Sequence, residues 1–253
     1  LGVMRLSLWP GLIQAARDNQ HRQQSRVRLF EIGRRFASGD GAETEMIAGL
    51  SSGTVLAEQW GVDAKTNHVD FFDIKSDVEA LLALSGDTAE FRFAADRHPA
   101  LHPGQSARIW RNERPIGWIG AIHPQHLKAL DLTYAPFVFE VEATAALAAR
   151  VPEFREISKY PAIRRDIAPI FDEATDVDTI RDVVRRSAGA LLTELTVLSV
   201  YRGPQLEKGK KSIALGLQLQ DTSRTLTDHD ADAIVAQVVD QLGRQLNATI
   251  RDK

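Results

Sequence analysis

The sequence predicts an α+β protein of two parts: a mostly antiparallel sheet module with a few covering helices, then a βαββαβ unit. Three observations carry the prediction. Through roughly the first 140 residues, apolar-rich runs are joined across glycine-bearing turns, the pattern of paired strands. Around "ALAARVPEFREISKYP" the apolar periodicity lapses and prolines stand at 152 and 161. Beyond that point the chain runs strand, helix, strand, strand, helix, strand. The expected parts are therefore residues 1–152 and 153–253.

In the first part, "SLWPGLIQAARDNQ" supplies a serine, a proline suited to a first helical turn, and Leu12, Ile13 and Ala16 at helical spacing. A helix over about 8–20 follows. Next, "RVRLFEIGRRF" and "TEMIAGLSSG" flank the turn Gly39 to Gly41 and read as a hairpin, its first strand buried. "DFFDIKSDVEALLALSGD" sets Phe72, Val78, Leu81, Leu82 and Ser85 along a helical stripe, with Asp70 and Asp73 at its start and Gly86 past its end. "ARIWRNERPIGWIGAIHP" gives two strands about Asn112 to Pro115, and "APFVFEVE" one more.

In the second part the strands are "RRDIAPIF", "LTELTVLSVYRG", "KSIALGLQLQD" and "ATIRD". Its first helix has Thr175 or Asp176 as cap and an apolar face of Val177, Ile180, Val183 and Val184. Its second has Thr227 and Asp230 at capping-box spacing, then Ile234, Val235, Val238, Val239, Leu242 and Leu246. This order is the ferredoxin-like split βαβ arrangement, with helices on one sheet face and the other face open.

Composition narrows the chemistry. With 253 residues, 43% hydrophobic and 26% charged, the chain is expected to fold. It has neither a run near the 18 or so apolar residues of a membrane span nor a secretory leader, so a cytoplasmic location without membrane is expected. The absence of cysteine removes disulfides, thiolate zinc sites and a cysteine nucleophile. A net charge of -3 means that any nucleic-acid contact comes from local patches. Opening at Leu1 without methionine reads as a fragment of a longer chain.

His98 and His102 in "HPALHPGQ" stand four apart, the spacing at which two histidines share a metal on a helix. Pro99 and Pro103 oppose a helix there, so a shaped loop with backbone-bonded histidines is favoured over a metal-dependent hydrolase. Glu140, Glu142, Asp70 and Asp73 have the chemistry of general acids and bases but sit where caps and exposed partners are expected. In the second part, Arg164 and Arg165 open the first strand, Tyr201 and Arg202 close the second, and Lys208, Lys210 and Lys211 crowd the turn before Ser212. Cations and an aromatic plane at neighbouring strand ends suit single-stranded nucleic acid.

Taken together, "VMRLSLWPGLIQAARDNQ", "RLFEIGRRF", "DFFDIKSDVEALL", "HPALHPGQSA", "PIGWIGAIHPQ", "KYPAIRRDIA", "VYRG" and "KKSIALGLQLQDTSRTLTD" follow the order of one family. Over essentially its whole length the chain resembles the C-terminal part of the bacterial phenylalanyl-tRNA synthetase beta subunit. The resemblance implies an incomplete, non-catalytic class II synthetase-like module over 1–152 and a ferredoxin-fold anticodon-binding domain over 153–253. It implies a part in the ATP-dependent charging of tRNA(Phe) with phenylalanine, through contact with the anticodon and packing on a catalytic alpha subunit. The implied assembly has two alpha and two beta chains, with an alternative role limited to subunit contact.

ATP and Mg2+ belong to the whole enzyme under this resemblance, and none is expected on this chain. In active class II synthetases a strand ending "FEIGRxFRxE" carries an arginine for the ATP α-phosphate and a glutamate. Here Ala37, Ser38 and Gly39 follow Phe36 instead. The family's anticodon contacts correspond to Tyr201, stacking on a base, to Ser212 and Ala168, giving hydrogen bonds or close approach, and to Ser199. Ser199 departs from the aspartate often found there, which weakens the hold on a guanine edge. Arg165, Arg202, Lys210 and Lys211 complete the candidate RNA contacts.

Overall fold

The computed structural model describes residues 3–39, 41–63, 67–149, 151, 154 and 157–250. The chain divides into two units, Leu1–Glu153 and Phe154–Lys253. Asp40 of the expected hairpin turn, Pro152 at the expected boundary, and Arg251 and Asp252 of the expected last strand lie outside the described residues.

Unit 1 runs α1 (Trp9–His21), β1 (Arg26–Phe36), β2 (Glu43–Gly53), α2 (Phe71–Leu82), β3 (Phe91–Ala95), β4 (Leu101–Arg111), β5 (Arg114–Ile122), α3 (Pro124–Leu127), β6 (Phe137–Glu142) and α4 (Ala143–Leu147). Its six strands form one antiparallel sheet in the order β1-β2-β6-β5-β4-β3. β6 is central, and its Val138 packs with Leu8, Leu12, Ile13 and Ala16 of the α1 region. On the opposite face Phe139 and Val141 pack with Ile74, Val78 and Leu82 of α2. A strand covered on both sides has no polar face, which is why "FVFEV" is buried throughout.

Glu140 sits within that buried run at 7% exposure. Its Oε1 accepts from the Leu8 amide at 2.6 Å and from the Ser7 hydroxyl at 3.2 Å. Pro10 lacks an N–H and Leu8 has no capping side chain, so the start of α1 takes its acceptor from β6. The Trp9 indole donates to the Phe139 carbonyl at 3.0 Å, a second tie between the same two elements. Asp70 and Asp73 form a reciprocal capping box at α2.

Four expectations change here. β1 is not buried: it is the sheet's edge, and Phe30 and Ile32 are 78% and 59% exposed. Phe72 points outward, because the buried stripe of α2 runs through Ile74, Val78 and Leu82, with Phe71 packed beside it. β3 pairs with β4 although "FRFAA" is too short to stand out by pattern. The histidine-proline segment is drawn into β4, whose register shifts between Leu101 and Ser106.

Unit 2 runs β7 (Ile163–Ile167), β8 (Ile170–Asp172), α5 (Val177–Ala188), β9 (Leu192–Tyr201), β10 (Lys210–Leu219) and α6 (Asp228–Leu246). β10 pairs with β7 and β8 along one side and with β9 along the other. Thr249 bridges to Ile170, which puts the end of the chain beside its first strand, the split βαβ order. The expected first strand is therefore two pieces, because Pro169 has no N–H to continue the ladder. Among the described residues the expected last strand is reduced to that bridge.

α5 and α6 cover one sheet face, where Phe171, Ile213, Leu215 and Leu217 pack with Ile180, Val183, Val184, Val238 and Leu242. Asp176 caps α5, while Thr227 and Asp230 form a capping box on α6. Arg224 and the Thr227 amide hold the Asp230 carboxyl well below the usual aspartate range. A depressed carboxyl contributes stability above its unfolded value, and that contribution is lost as pH falls below about 4. Protection of the α6 amides from hydrogen exchange is expected to drop between about pH 4 and pH 2, and to drop less in Asp230→Asn. An equal drop in both would assign the acid sensitivity elsewhere. No helix among the described residues is long and apolar enough to cross a membrane.

Candidate nucleic-acid interface

In an antiparallel ladder, residues directly opposite one another share a face. Tyr201 stands opposite Ser212, and Ser199 opposite Ala214. A bulge at Leu198 then shifts the register, so that Thr196 faces Gly216 and Glu194 faces Gln218. On the other side of β10, Gly216 stands opposite Asp166, Gln218 opposite Arg164, and Ser212 opposite Ile170. Since Ile213, Leu215 and Leu217 point under the helices, all these partners belong to the uncovered face.

The central row of that face is Ser212, Ala214 and Gly216. Such small residues leave a shallow trough, flanked by Tyr201 and Ser199 on β9 and by Arg164 and Asp166 on β7. The break between β7 and β8 leaves the Ala168 carbonyl at the trough, where the Ser212 hydroxyl approaches at 3.5 Å. Tyr201 is 42% exposed and folds back on its own chain: a Cβ at Gly203 would fall 2.1 Å from its phenolic oxygen. Glycine at 203 is thus what allows the ring to lie there. Tyr201, Ser199, Ser212 and Ala168 are brought together on one open face.

The cations divide differently from expectation. Arg165 shares the covered side with Ile163 and Ile167, and its guanidinium donates to Asp228 at 2.5 Å and Asp232 at 2.9 Å on α6. Lys211 has the parity of Ile213, is 7% exposed, and donates to the Glu173 carbonyl at 2.8 Å. Neither reaches the trough. Lys210 has the open-face parity of Ser212 and pairs with Asp172 at 2.8 Å at the end of the trough, and Arg202 pairs with Glu173 at 2.7 Å at the rim. Arg164, beside the middle of the sheet, also faces the trough, its Nε donating to Asp166 at 2.9 Å. Ile163 and Ile167 mark the covered parity of β7 in the sequence, a signal that distinguishes Arg164 from Arg165 and that the expectation of Arg165 as an RNA contact passed over.

In unit 1 the histidine pair is engaged otherwise. His98 lies edge-on to Trp9 and Trp118, with ring centroids 5.3 and 5.0 Å away, and its Nδ1 accepts from the Ala100 amide at 3.2 Å. Burial, then the nearby Arg108 charge, lowers its pKa and so favours the neutral ring. His102 Nδ1 accepts from the Gly104 amide at 3.0 Å. Among the described residues no group of three or more histidines or carboxylates is placed to hold a metal ion. Glu142 pairs with Arg114 and, at 3.8 Å, with Arg35.

A split βαβ sheet with one bare face is the class defined by the ferredoxin-fold anticodon binding domain, and residues 158–251 match that family model. Residues 1–143, more than half of the chain, match the model described as phenylalanyl tRNA synthetase beta chain CLM domain. The chain belongs to the phenylalanyl-tRNA synthetase beta chain family.

Its relatives include the phenylalanine–tRNA ligase beta subunits of Pseudomonas savastanoi pv. phaseolicola, 45% identical over 255 residues, and of Coxiella burnetii, 44% identical over 254. Each alignment covers 99% of this chain and 32% of the relative, so the chain spans about a third of their length. Among solved structures, pyrrolysyl-tRNA synthetase from Desulfitobacterium hafniense matches 56% of this chain and 48% of its own, at 14% identity and a TM-score of 0.43.

Proposed function

We propose that this chain serves the charging of tRNA(Phe) with phenylalanine as the RNA-contacting and assembly part of a cytoplasmic phenylalanine–tRNA ligase, adding no catalytic group of its own. The observation that carries the reading is the convergence of Tyr201, Ser199, Ser212 and the Ala168 carbonyl on one bare sheet face. An aromatic plane beside small hydroxyl and carbonyl groups fits unstacked anticodon bases, which are bound by stacking and by hydrogen bonds to their edges.

ATP and Mg2+ belong to the whole enzyme, an assembly of two alpha and two beta chains, and not to this chain. The residues after β1 do not fit a nucleotide: Ala37, Ser38 and Gly39 bring neither cation nor carboxylate. Arg34 before them is paired with Glu43 at 2.5 Å. The exposed Phe30 and Ile32 on edge strand β1 supply apolar surface for packing on that subunit.

Titration of the chain with the tRNA(Phe) anticodon stem-loop at several salt concentrations tests this reading. Arg164, Arg165, Arg202 and Lys210 are all in ion pairs, so few phosphates are neutralised on binding. The expected slope of log K against log salt is about -0.7 to -1.4, the value for one or two single-strand phosphates. A changed anticodon is expected to weaken binding. A slope near -4 with indifference to the anticodon would reject the face as the reader.

A further inference from the structure

We infer that Arg164 is a second stacking plane of the open face, a guanidinium laid over Gly216 that receives a nucleobase on its outer side. The inference rests on the RNA-binding reading of unit 2 given above. Arg164 and Asp166 are the two residues of β7 that face the trough, and the Arg164 Nε donates to the Asp166 carboxylate at 2.9 Å. A Cβ built on Gly216 would meet the Arg164 Nη2 at 3.1 Å, its Cζ at 3.4 Å and the Asp166 Oδ1 at 3.2 Å. The cation therefore lies down on the bare backbone of β10 instead of reaching into solvent. Its side chain remains 56% exposed, which leaves the outer side open to a ligand.

This arrangement selects the mode of contact. A guanidinium is planar, stacks on aromatic rings, and is weakly hydrated for a cation. With Nε engaged by Asp166 and one side against Gly216, Arg164 presents a flat surface at the trough. The partner carboxylate offsets its charge, so its contribution comes from the plane and not from counterion release. Tyr201 holds the opposite flank of the same trough, at the far end from Gln218, which stands opposite Arg164. Two separated planes accommodate two different bases of one single-stranded loop.

The test uses the 253-residue chain and anticodon stem-loops carrying 2-aminopurine at each loop position in turn, with Arg164→Ala, Arg164→Lys, Gly216→Ala and Tyr201→Ala. Lysine keeps the charge and loses the plane. Both Arg164 variants are expected to weaken binding by about 5- to 150-fold, the range for loss of one stacked base, with the salt slope unchanged. One loop position is expected to lose its fluorescence change in the Arg164 variants and in Gly216→Ala while keeping it in Tyr201→Ala. Binding of Arg164→Lys at wild-type strength overturns the inference, as does an Arg164-sensitive position identical to the Tyr201-sensitive one. If Tyr201→Ala alone acts, this inference falls and the reading of the face stands; if no variant acts, both fall.

Discussion

Tyr201→Ala is expected to weaken binding of the anticodon stem-loop by about 5- to 150-fold, the effect of removing one aromatic plane worth about 1 to 3 kcal/mol. The ring is half-exposed, lies on the bare face opposite Ser212, and rests on Gly203 and not in the hydrophobic core. Its removal therefore leaves the melting temperature nearly unchanged, which separates lost contact from lost fold. Tyr201→Phe keeps the plane and is expected to bind within a few-fold of wild type. Equal affinities for wild type and Tyr201→Ala would remove this ring from the interface.

Glu140→Ala is expected to cost about 1 to 3 kcal/mol of stability, because it leaves the buried Leu8 amide without an acceptor at the start of α1. For a unit of this size that is a fall in Tm of about 2 to 12 °C. The pH dependence supplies a second readout. Burial pushes the Glu140 carboxyl above its ordinary 4.5, and the hydrogen bonds from Leu8 and Ser7 only partly oppose it. A raised carboxyl is favoured protonated in the folded state, so its contribution is present in full below the unfolded value and is lost as pH rises through the raised one. Glu140→Gln keeps an acceptor oxygen without the charge. It is expected to melt closer to wild type than Glu140→Ala does, with a flatter dependence on pH above about 4.5. Identical pH dependence in wild type and Glu140→Gln would show that the carboxylate charge plays no part.

Both helices of unit 2 could be read to within a residue or two, since Asp176, Thr227 and Asp230 are local caps that act on their own neighbours. The hairpin of β1 and β2 was legible for the same reason. Burial was harder where it depends on distant strands. Nothing in "FEIGRRF" says that its strand ends up at a sheet edge, and nothing near Glu140 announces a helix start 132 residues earlier. The candidate site was legible as a set of residue types, but the orientation of its cations required the parity of β7 and β10. Two neighbours in sequence, Arg164 and Arg165, lie on opposite faces of one sheet.

The exposed edge at β1 has a consequence for handling the protein. At its far end the Arg5 carbonyl accepts from the Phe36 amide and the Arg5 Nε donates to the Arg34 carbonyl at 2.8 Å; along the rest of the strand the outer edge offers itself to strand addition by another copy, with Phe30 and Ile32 as adhesive side chains. Arg26, Arg28, Arg34 and Arg35 punctuate the same strand, and their polar heads, those of Arg28, Arg34 and Arg35 held in ion pairs with Asp77, Glu43 and Glu142, interrupt its apolar surface. These arginines act as gatekeepers against aggregation, and their substitution by neutral residues would trade solubility for stickiness along this edge.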